Sequence, residues 1–260
     1  MISQADLKRA RGLQQKKFRS ESKRFLVQGR KVVAELLASS WRAEMIFASE
    51  EGADVVRAAA AARKVPVHVL PSHELDRIGT FEKGNELVAI AVTPEQEKFR
   101  APRPRELVLA LDGIHDPRNM GGLLRIADWF GVQQVLCSQD CMEVYNPKCV
   151  QSTMGSLFRV QVRYARLFEE LTACAAAGAG IFFADMGGES AYQAKLTRPA
   201  VLVLGSESHG LSEGVRAVTE AKVISIPRVG KAESLNVAMA ASALCAEFAR
   251  QAHAGDGHAG

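Results

Sequence analysis

The apolar positions of this chain change rhythm part-way along it. Toward the N-terminus they are sparse or helically spaced. Residues 3–20 read as one helix, with Ser3 as cap, Asp6 in the first turn, and Leu7, Leu13 and Phe18 as scattered apolar positions. In 30–39, Val32, Val33, Leu36 and Leu37 recur at helical spacing, and 52–63 is an Ala-rich helix. Short strands are expected at 24–28, 44–48, 65–70 and 87–92, and a short helix opens at Ser72. From residue 107 the apolar positions come as unbroken runs at 107–111, 135–138, 158–162, 181–185, 200–204 and 223–226. Helices are expected between them at 121–131, 147–156, 167–177 and 211–218, and a last Ala-rich helix runs to about Arg250. Unbroken apolar strands alternating with helices predict a parallel sheet covered on both faces.

Between the two patterns, residues 94–105 hold three prolines, many charges and almost no apolar side chains, which predicts a linker. The expected organisation is therefore a domain over 1–93, a linker over 94–105, a larger domain over 106–250, and a disordered Gly- and Ala-rich tail over 251–260. A length of 260 residues accommodates two such domains. Hydrophobic residues at 47% and charged residues at 24% fit a globular chain, and no apolar run is long enough to span a bilayer.

Net charge is +4, but its distribution says more. Ten basic residues lie between Lys8 and Lys31 and only Glu21 opposes them, which fits contact with a phosphate backbone as well as a solvated helix face. The basic N-terminus has no apolar core behind it, so no secretory signal is expected. The five cysteines (Cys137, Cys141, Cys149, Cys174, Cys245) are irregularly spaced, form no C-x-x-C pair and have no histidine at ligand spacing. They read as reduced thiols in a cytoplasmic protein, with no metal site.

Ligands of parallel sheets bind beyond the carboxyl ends of the strands. Three loops rich in glycine and small polar residues follow strong strands here: 112–122, 205–210 and 227–236. Residues 205–210 (GSESHG) have the glycine spacing of a phosphate loop without its Gly-Lys-Ser/Thr ending. No G-x-G-x-x-G and no G-x-S-x-G elbow follows any strand. His115 and His209 fit a ligand or base role, or plain solvent exposure. Ser234 and Asn236, at the mouth of the last helix, fit either capping or ligand contact.

Taken together, the loops resemble the SpoU/TrmH family of RNA ribose 2′-O-methyltransferases, of the SPOUT class. Residues 118–125 (RNMGGLLR) match its N-x-G-x-x-x-R motif, 202–212 (LVLGSESHGLS) its second motif, and Ile226-Pro227 with 233–238 (ESLNVA) its third. Residues 25–31 (FLVQGRK) are similar to the opening of a substrate-binding domain of ribosomal-protein-like fold, where glutamate is commoner than Gln28. The resemblance implies an α/β fold: a C-terminal SPOUT-type parallel sheet with a trefoil knot, preceded by a smaller α/β ribosomal-protein-like domain. It implies S-adenosylmethionine as cofactor, held around Leu204, Gly205, Ile226, Pro227 and Leu235, and a homodimer with the site at its interface.

By the same resemblance the catalytic set is Arg125, Asn119, Glu207, Ser234 and Asn236. A guanidinium stays protonated, so Arg125 suits stabilisation of a developing alkoxide better than proton abstraction, with a phosphate or carboxylate relaying the proton. Asn119 fits orientation of Arg125, phosphate binding or helix capping. Glu207 fits substrate contact, fixing of the glycine loops or a charge at a helix start. Arg118, Arg228, Lys231, Lys16, Lys17 and Arg19 are expected to grip RNA. The leading reading is an RNA 2′-O-methyltransferase, acting on ribosomal rather than transfer RNA. An RNA-binding protein that kept the fold and lost catalysis is the alternative, and a methyltransferase for protein or small molecules stands behind both.

Overall fold

A computed structural model of the chain describes residues 3–81 and 85–256. The chain forms two compact units: Met1–Glu95 with Glu143–Arg159, and Gln96–Met142 with Val160–Gly260.

In the first unit the elements are α1 (Gln4–Gly12), α2 (Lys16–Ser22), β1 (Arg24–Gln28), α3 (Arg30–Ala38), β2 (Ala43–Ala48), α4 (Glu50–Ala62), β3 (Val67–Val69), α5 (Ser72–Ile78) and β4 (Leu87–Val92). The sheet order is β1-β4-β2-β3, with β4 antiparallel to both β1 and β2 and β3 parallel to β2. The helix expected over 3–20 is two helices. Ser3 caps α1 as expected, but α1 ends at Gly12, where the Phe18 ring folds back to 3.4 Å from the space a side chain would take. Glycine in the middle of a weakly apolar helix was the sign of the break.

In the second unit the elements are β5 (Leu107–Leu111), α6 (Pro117–Trp129), β6 (Gln134–Cys137), then, beyond the α7 segment, β7 (Gln161–Tyr164), α8 (Leu167–Ala176), β8 (Gly180–Ser190), β9 (Ala200–Leu204), α9 (Glu213–Arg216), β10 (Lys222–Ser225) and α10 (Val237–Asp256). All the strand pairings are parallel and the order is β10-β8-β9-β5-β6-β7. The chain steps outward from β5 to β7, then returns on the other side of β5. Its strand order therefore reverses between β5 and β9, both fully buried. Ile181 and Phe183 of β8 pack with Leu167, Leu171 and Cys174 of α8. Between them in sequence, Phe182 meets Phe248 of α10 edge-on at 5.3 Å, so helices cover both faces.

Four expectations are corrected. The helix after β5 begins at Pro117, not at residue 121, because Asp116 accepts from the Arg118 and Asn119 N–H groups and proline suits the first helical position. The strand expected at 158–162 is β7, shifted to Gln161–Tyr164, with a 3₁₀ turn over Ser156–Phe158. The linker is seated: Phe99 and Ala101 pack on the second unit's core, and Arg100 exchanges backbone hydrogen bonds with the Gln134 side chain at 3.4 and 3.3 Å. The tail is not wholly irregular, since α10 continues through 251–256; residues 257–260 lie outside the described residues.

A further correction concerns residues 143–159, which hold α7 (Pro147–Ser152) and which the sequence assigns to the larger domain over 106–250. They pack with the first unit. The Tyr145 ring lies tilted 4.8 Å from that of Phe25, and Phe158 meets Trp41 edge-on at 5.3 Å. Burial pushes the Tyr145 phenol up to about 12. Glu143 takes both ends of the Arg19 guanidinium, at 3.1 and 2.6 Å.

Candidate active site

The carboxyl ends of β5 and β9 flank the reversal of strand order, the place where parallel sheets open a crevice. Their loops are tied at the base: Asp112 N–H donates to Leu204 O at 2.9 Å, and the buried Asp112 carboxylate accepts from Ser212 N–H at 2.7 Å. After β9 the chain doubles back sharply, with Ser206 and Gly210 exchanging backbone hydrogen bonds at 3.0 and 2.9 Å. A Cβ on Gly205 would stand 2.3 Å from the Gly210 carbonyl carbon, so this approach admits no side chain.

Three of the five expected catalytic side chains meet above this base. Glu207 Oε1 accepts from Asn119 Nδ2 at 3.1 Å, Asn236 Nδ2 at 2.6 Å and Val237 N–H at 3.3 Å. Asn236 Nδ2 also donates to Asn119 Oδ1 at 2.9 Å. Each side chain comes from a different loop, so the contacts bind α6, the β9 loop and the start of α10 together. The carboxylate sits at the N-terminus of α10, where the helix dipole favours negative charge.

The capping question at α10 is decided for Asn236. Its Oδ1 accepts from Ala238 N–H at 3.0 Å and Met239 N–H at 3.4 Å. Ser234 is exposed and has no hydrogen-bond partner among the described residues, which leaves its hydroxyl available to a ligand. Asn119 neither caps α6, where Asp116 does so, nor orients Arg125. It spends its amide on Glu207 and Asn236. Arg125 lies six residues further on, about 120° round the helix, exposed and with no partner among the described residues. Arg118 is likewise exposed, and Arg228 donates to Ala232 O at 3.3 Å, its one side-chain contact among the described residues.

The expected cofactor residues divide into floor and rim. Leu204 ends the buried strand β9 and Gly205 follows it. Ile226, Pro227 and Leu235 belong to the long loop after β10, in which Ile226, Val229, Gly230, Lys231, Glu233, Ser234 and Leu235 make no hydrogen bond among the described residues. Backbone donors and acceptors left open beside a glycine turn fit a nucleoside ligand.

The loop after β6 was missed in the sequence. Ser138 Oγ accepts from Gly113 N–H at 2.9 Å and donates to Asp140 Oδ1 at 2.5 Å. Cys141 Sγ accepts from Ile114 N–H at 3.3 Å, and its thiol is drawn down to about 7, first by a hydrogen bond from the Cys137 side chain, against burial. This loop thus shapes the β5 turn. Its sign in the sequence was only a short polar stretch after an apolar run.

In the first unit the basic stretch divides by residue type. All five arginines are paired: Arg9 and Arg24 with Glu44, Arg11 with Glu74, Arg30 with Glu86, and Arg19 with Glu143. Arg19 is 4% exposed and also donates to the Leu13 and Gln14 carbonyls at 2.9 Å each, so it is not left for RNA as expected. The side chains of Lys8, Lys16, Lys17, Lys23 and Lys31 are exposed and have no partner among the described residues.

Comparison with known proteins identifies this arrangement. The model of the SpoU rRNA Methylase family matches residues 106–246, spanning all three loops. The chain belongs to the SpoU family. Residues 4–89 match the MRM3-like substrate binding domain. A Mycolicibacterium smegmatis protein named an uncharacterized tRNA/rRNA methyltransferase is 31% identical, over 93% of this chain and 81% of its own. The Bacillus subtilis 23S rRNA (guanosine(2553)-2′-O)-methyltransferase RlmP is 26% identical, over 89% of this chain and 91% of its own. Among solved structures, a Porphyromonas gingivalis protein of the TrmH family superposes with TM-score 0.85 at 36% identity, covering 96% of this chain and 99% of its own. The Streptomyces viridochromogenes SpoU methyltransferase AviRb, in complex with AdoMet, superposes with TM-score 0.86 at 26% identity, covering 96% and 99%.

This SpoU-family chain is therefore an RNA 2′-O-ribose methyltransferase that uses S-adenosylmethionine. Its fold is the expected α/β architecture with a parallel sheet. No helix among the described residues is long and apolar enough to cross a membrane.

Proposed function

We propose that the chain methylates a ribose 2′-hydroxyl of ribosomal RNA, as a cytoplasmic homodimer whose cofactor lies against a trefoil knot formed by the loops after β9 and β10. The observation that carries the site assignment is the Asn119–Glu207–Asn236 contact, which joins three loops that are far apart in sequence. Ribosomal RNA is favoured by the relative named for 23S rRNA, by the match to a substrate-binding domain, and by the five exposed lysines beside that domain's first strand.

S-adenosylmethionine brings an electrophilic methyl group. Backbone groups of Leu204, Gly205, Ile226, Pro227 and Leu235 hold it, and the Glu207-centred contacts keep the loops at one spacing. Ser234 donates to ligand or ribose. Arg118, Arg228 and Lys231 grip phosphates near the ribose, and Lys16 and Lys17 grip RNA further off. Arg125 stabilises the alkoxide as the hydroxyl proton leaves. Its lack of a partner among the described residues supports a site completed by a second subunit. Trp129, one helical turn beyond Arg125 and 84% exposed, supports the same α6 face as the dimer contact.

Mapping of ribose methylations in total RNA with and without the gene tests the substrate: loss of one 2′-O-methyl mark in 23S rRNA is expected. Arg125→Ala is expected to keep fold and cofactor affinity by calorimetry and to lose methyl transfer. Normal turnover by that variant would remove Arg125 from the mechanism.

A further inference from the structure

The proposal above leaves one step without a residue, the departure of the 2′-hydroxyl proton. Arg125 does not take it, because a guanidinium holds its own proton far above neutral pH. Glu207 is engaged with three donors.

A titratable side chain not used so far, His115, lies on the rim with a carboxylate beside it. His115 leaves the β5 turn immediately before the Asp116 cap of α6, four residues ahead of Asn119. Its Nε2 lies 3.6 Å from Asp140 Oδ2, an ion-pair distance, and both side chains are largely exposed. Asp140 is fixed in turn by Ser138 Oγ, which also accepts the Gly113 N–H. The space one bond out from Gly113 Cα is 3.6 Å from Asp140 Oδ2, 3.6 Å from Ser206 Cβ and 3.9 Å from His115 Cε1. The β5, β6 and β9 loops therefore meet at Gly113, two residues before His115, and Ser206 is the chain neighbour of Glu207.

We infer that His115, oriented by Asp140, is the general base that accepts the ribose 2′-hydroxyl proton. This rests on the methyl-transfer reading of the site. With the ring proton on Nε2, facing Asp140, Nδ1 keeps its lone pair and has no partner among the described residues. As the ribose oxygen forms its bond to the methyl carbon, the carbon–sulfur bond breaks and its electron pair stays on sulfur. The O–H proton passes to Nδ1, and the imidazolium so formed faces a carboxylate. Serine hydrolases pair histidine and aspartate by the same logic.

The charges around the imidazole favour this role over a grip on phosphate. Asp116 on its own loop, Asp112 at the loop's base, Asp140 on the β6 loop and Glu207 on the β9 loop are acidic, against His209 on the β9 loop and Arg118 and Arg125 on α6. The carboxylates stabilise an imidazolium, while the arginines are left to the phosphates on either side of the ribose.

The test compares unchanged enzyme, His115→Gln and Asp140→Asn in full length, with 23S rRNA from cells lacking the gene as methyl acceptor. His115→Gln is expected to lower kcat about 100-fold or more, to leave cofactor affinity and the KM for RNA nearly unchanged, and to abolish the acidic limb of the pH–rate profile. Nitrogen-15 NMR of the enzyme without RNA is expected to find the His115 proton on Nε2, and Asp140→Asn is expected to disturb that tautomer. Full turnover by His115→Gln with its acidic limb intact, or a raised KM at unchanged kcat, overturns the inference. If unchanged enzyme does not methylate this RNA, the ribosomal reading fails, and the tautomer measurement decides on His115 by itself: a proton on Nδ1 rules the base out.

Discussion

Arg19 and its lysine neighbours Lys16 and Lys17 look alike in the sequence and do opposite work. The guanidinium suits a buried site, since its fork of donors matches one carboxylate and two carbonyls at once. Lysine presents a hydrated point charge and stays outside. Arg19→Ala is expected to destabilise the protein by about 3–5 kcal/mol, because it leaves the Glu143 carboxylate partly buried without its partner. The double change Lys16→Ala with Lys17→Ala is expected to leave Tm within a degree or two. It should weaken RNA binding and flatten its salt dependence by about one unit of slope per lysine. Chemical denaturation and filter binding at several salt concentrations separate the two. A charge run reports how many cations there are and not which have partners, because the partners (Glu44, Glu74, Glu86 and Glu143) come from distant stretches. The capping role of Asn236 was hidden differently, since its rival Ser234 is equally suited by type and differs only in lying two residues earlier.

At the scale of elements, strands and loops were more legible than helix ends. Leu87–Val92, Leu107–Leu111 and Ala200–Leu204 fall where their apolar runs lie, because strands buried on both faces tolerate no polar interruption. Helix ends depend on caps, and the Asp116-Pro117 pair marking the start of α6 was passed over for the apolar pattern behind it. The helix expected at 211–218 shrinks to one turn at Glu213–Arg216, where Ser212 caps it. The register shift between Val223 and Ile224, which β8 accommodates with Gly188 against the β10 backbone, has no signature in composition. The glycine loops carry the sharpest consequence. In Gly205→Ala the new methyl would meet Gly210 C at 2.3 Å and Leu211 N at 2.6 Å, all backbone, so the β9 loop must open. The cost is expected near 1–3 kcal/mol, with cofactor affinity falling at least tenfold while the far-ultraviolet spectrum is kept. Unchanged affinity by calorimetry would show that the Gly205–Gly210 approach is not what shapes the cofactor cleft.

At the scale of the whole molecule, the division at 94–105 came from composition alone and leaves out one exchange. Residues 143–159 follow β6 in sequence but pack within the first unit. No local pattern announces this, since Tyr145, Val150 and Phe158 would serve equally well in either core. Their removal has a calculable effect. Without them Phe25 and Trp41 lose the Tyr145 and Phe158 rings, and Arg19 loses Glu143. Exposure of one buried aromatic costs about 1.5–3 kcal/mol, and a buried cation without its partner about 3–5 kcal/mol. That total rivals the stability of a small domain, about 5–15 kcal/mol. A fragment of residues 1–95 is therefore expected to lack a cooperative thermal transition and to give a poorly dispersed amide spectrum. The same fragment joined to 143–159 through a flexible Gly/Ser linker should recover both. A well-dispersed spectrum and a cooperative transition from 1–95 alone would mean that its own sheet and helices suffice, and that the borrowed segment adds only surface.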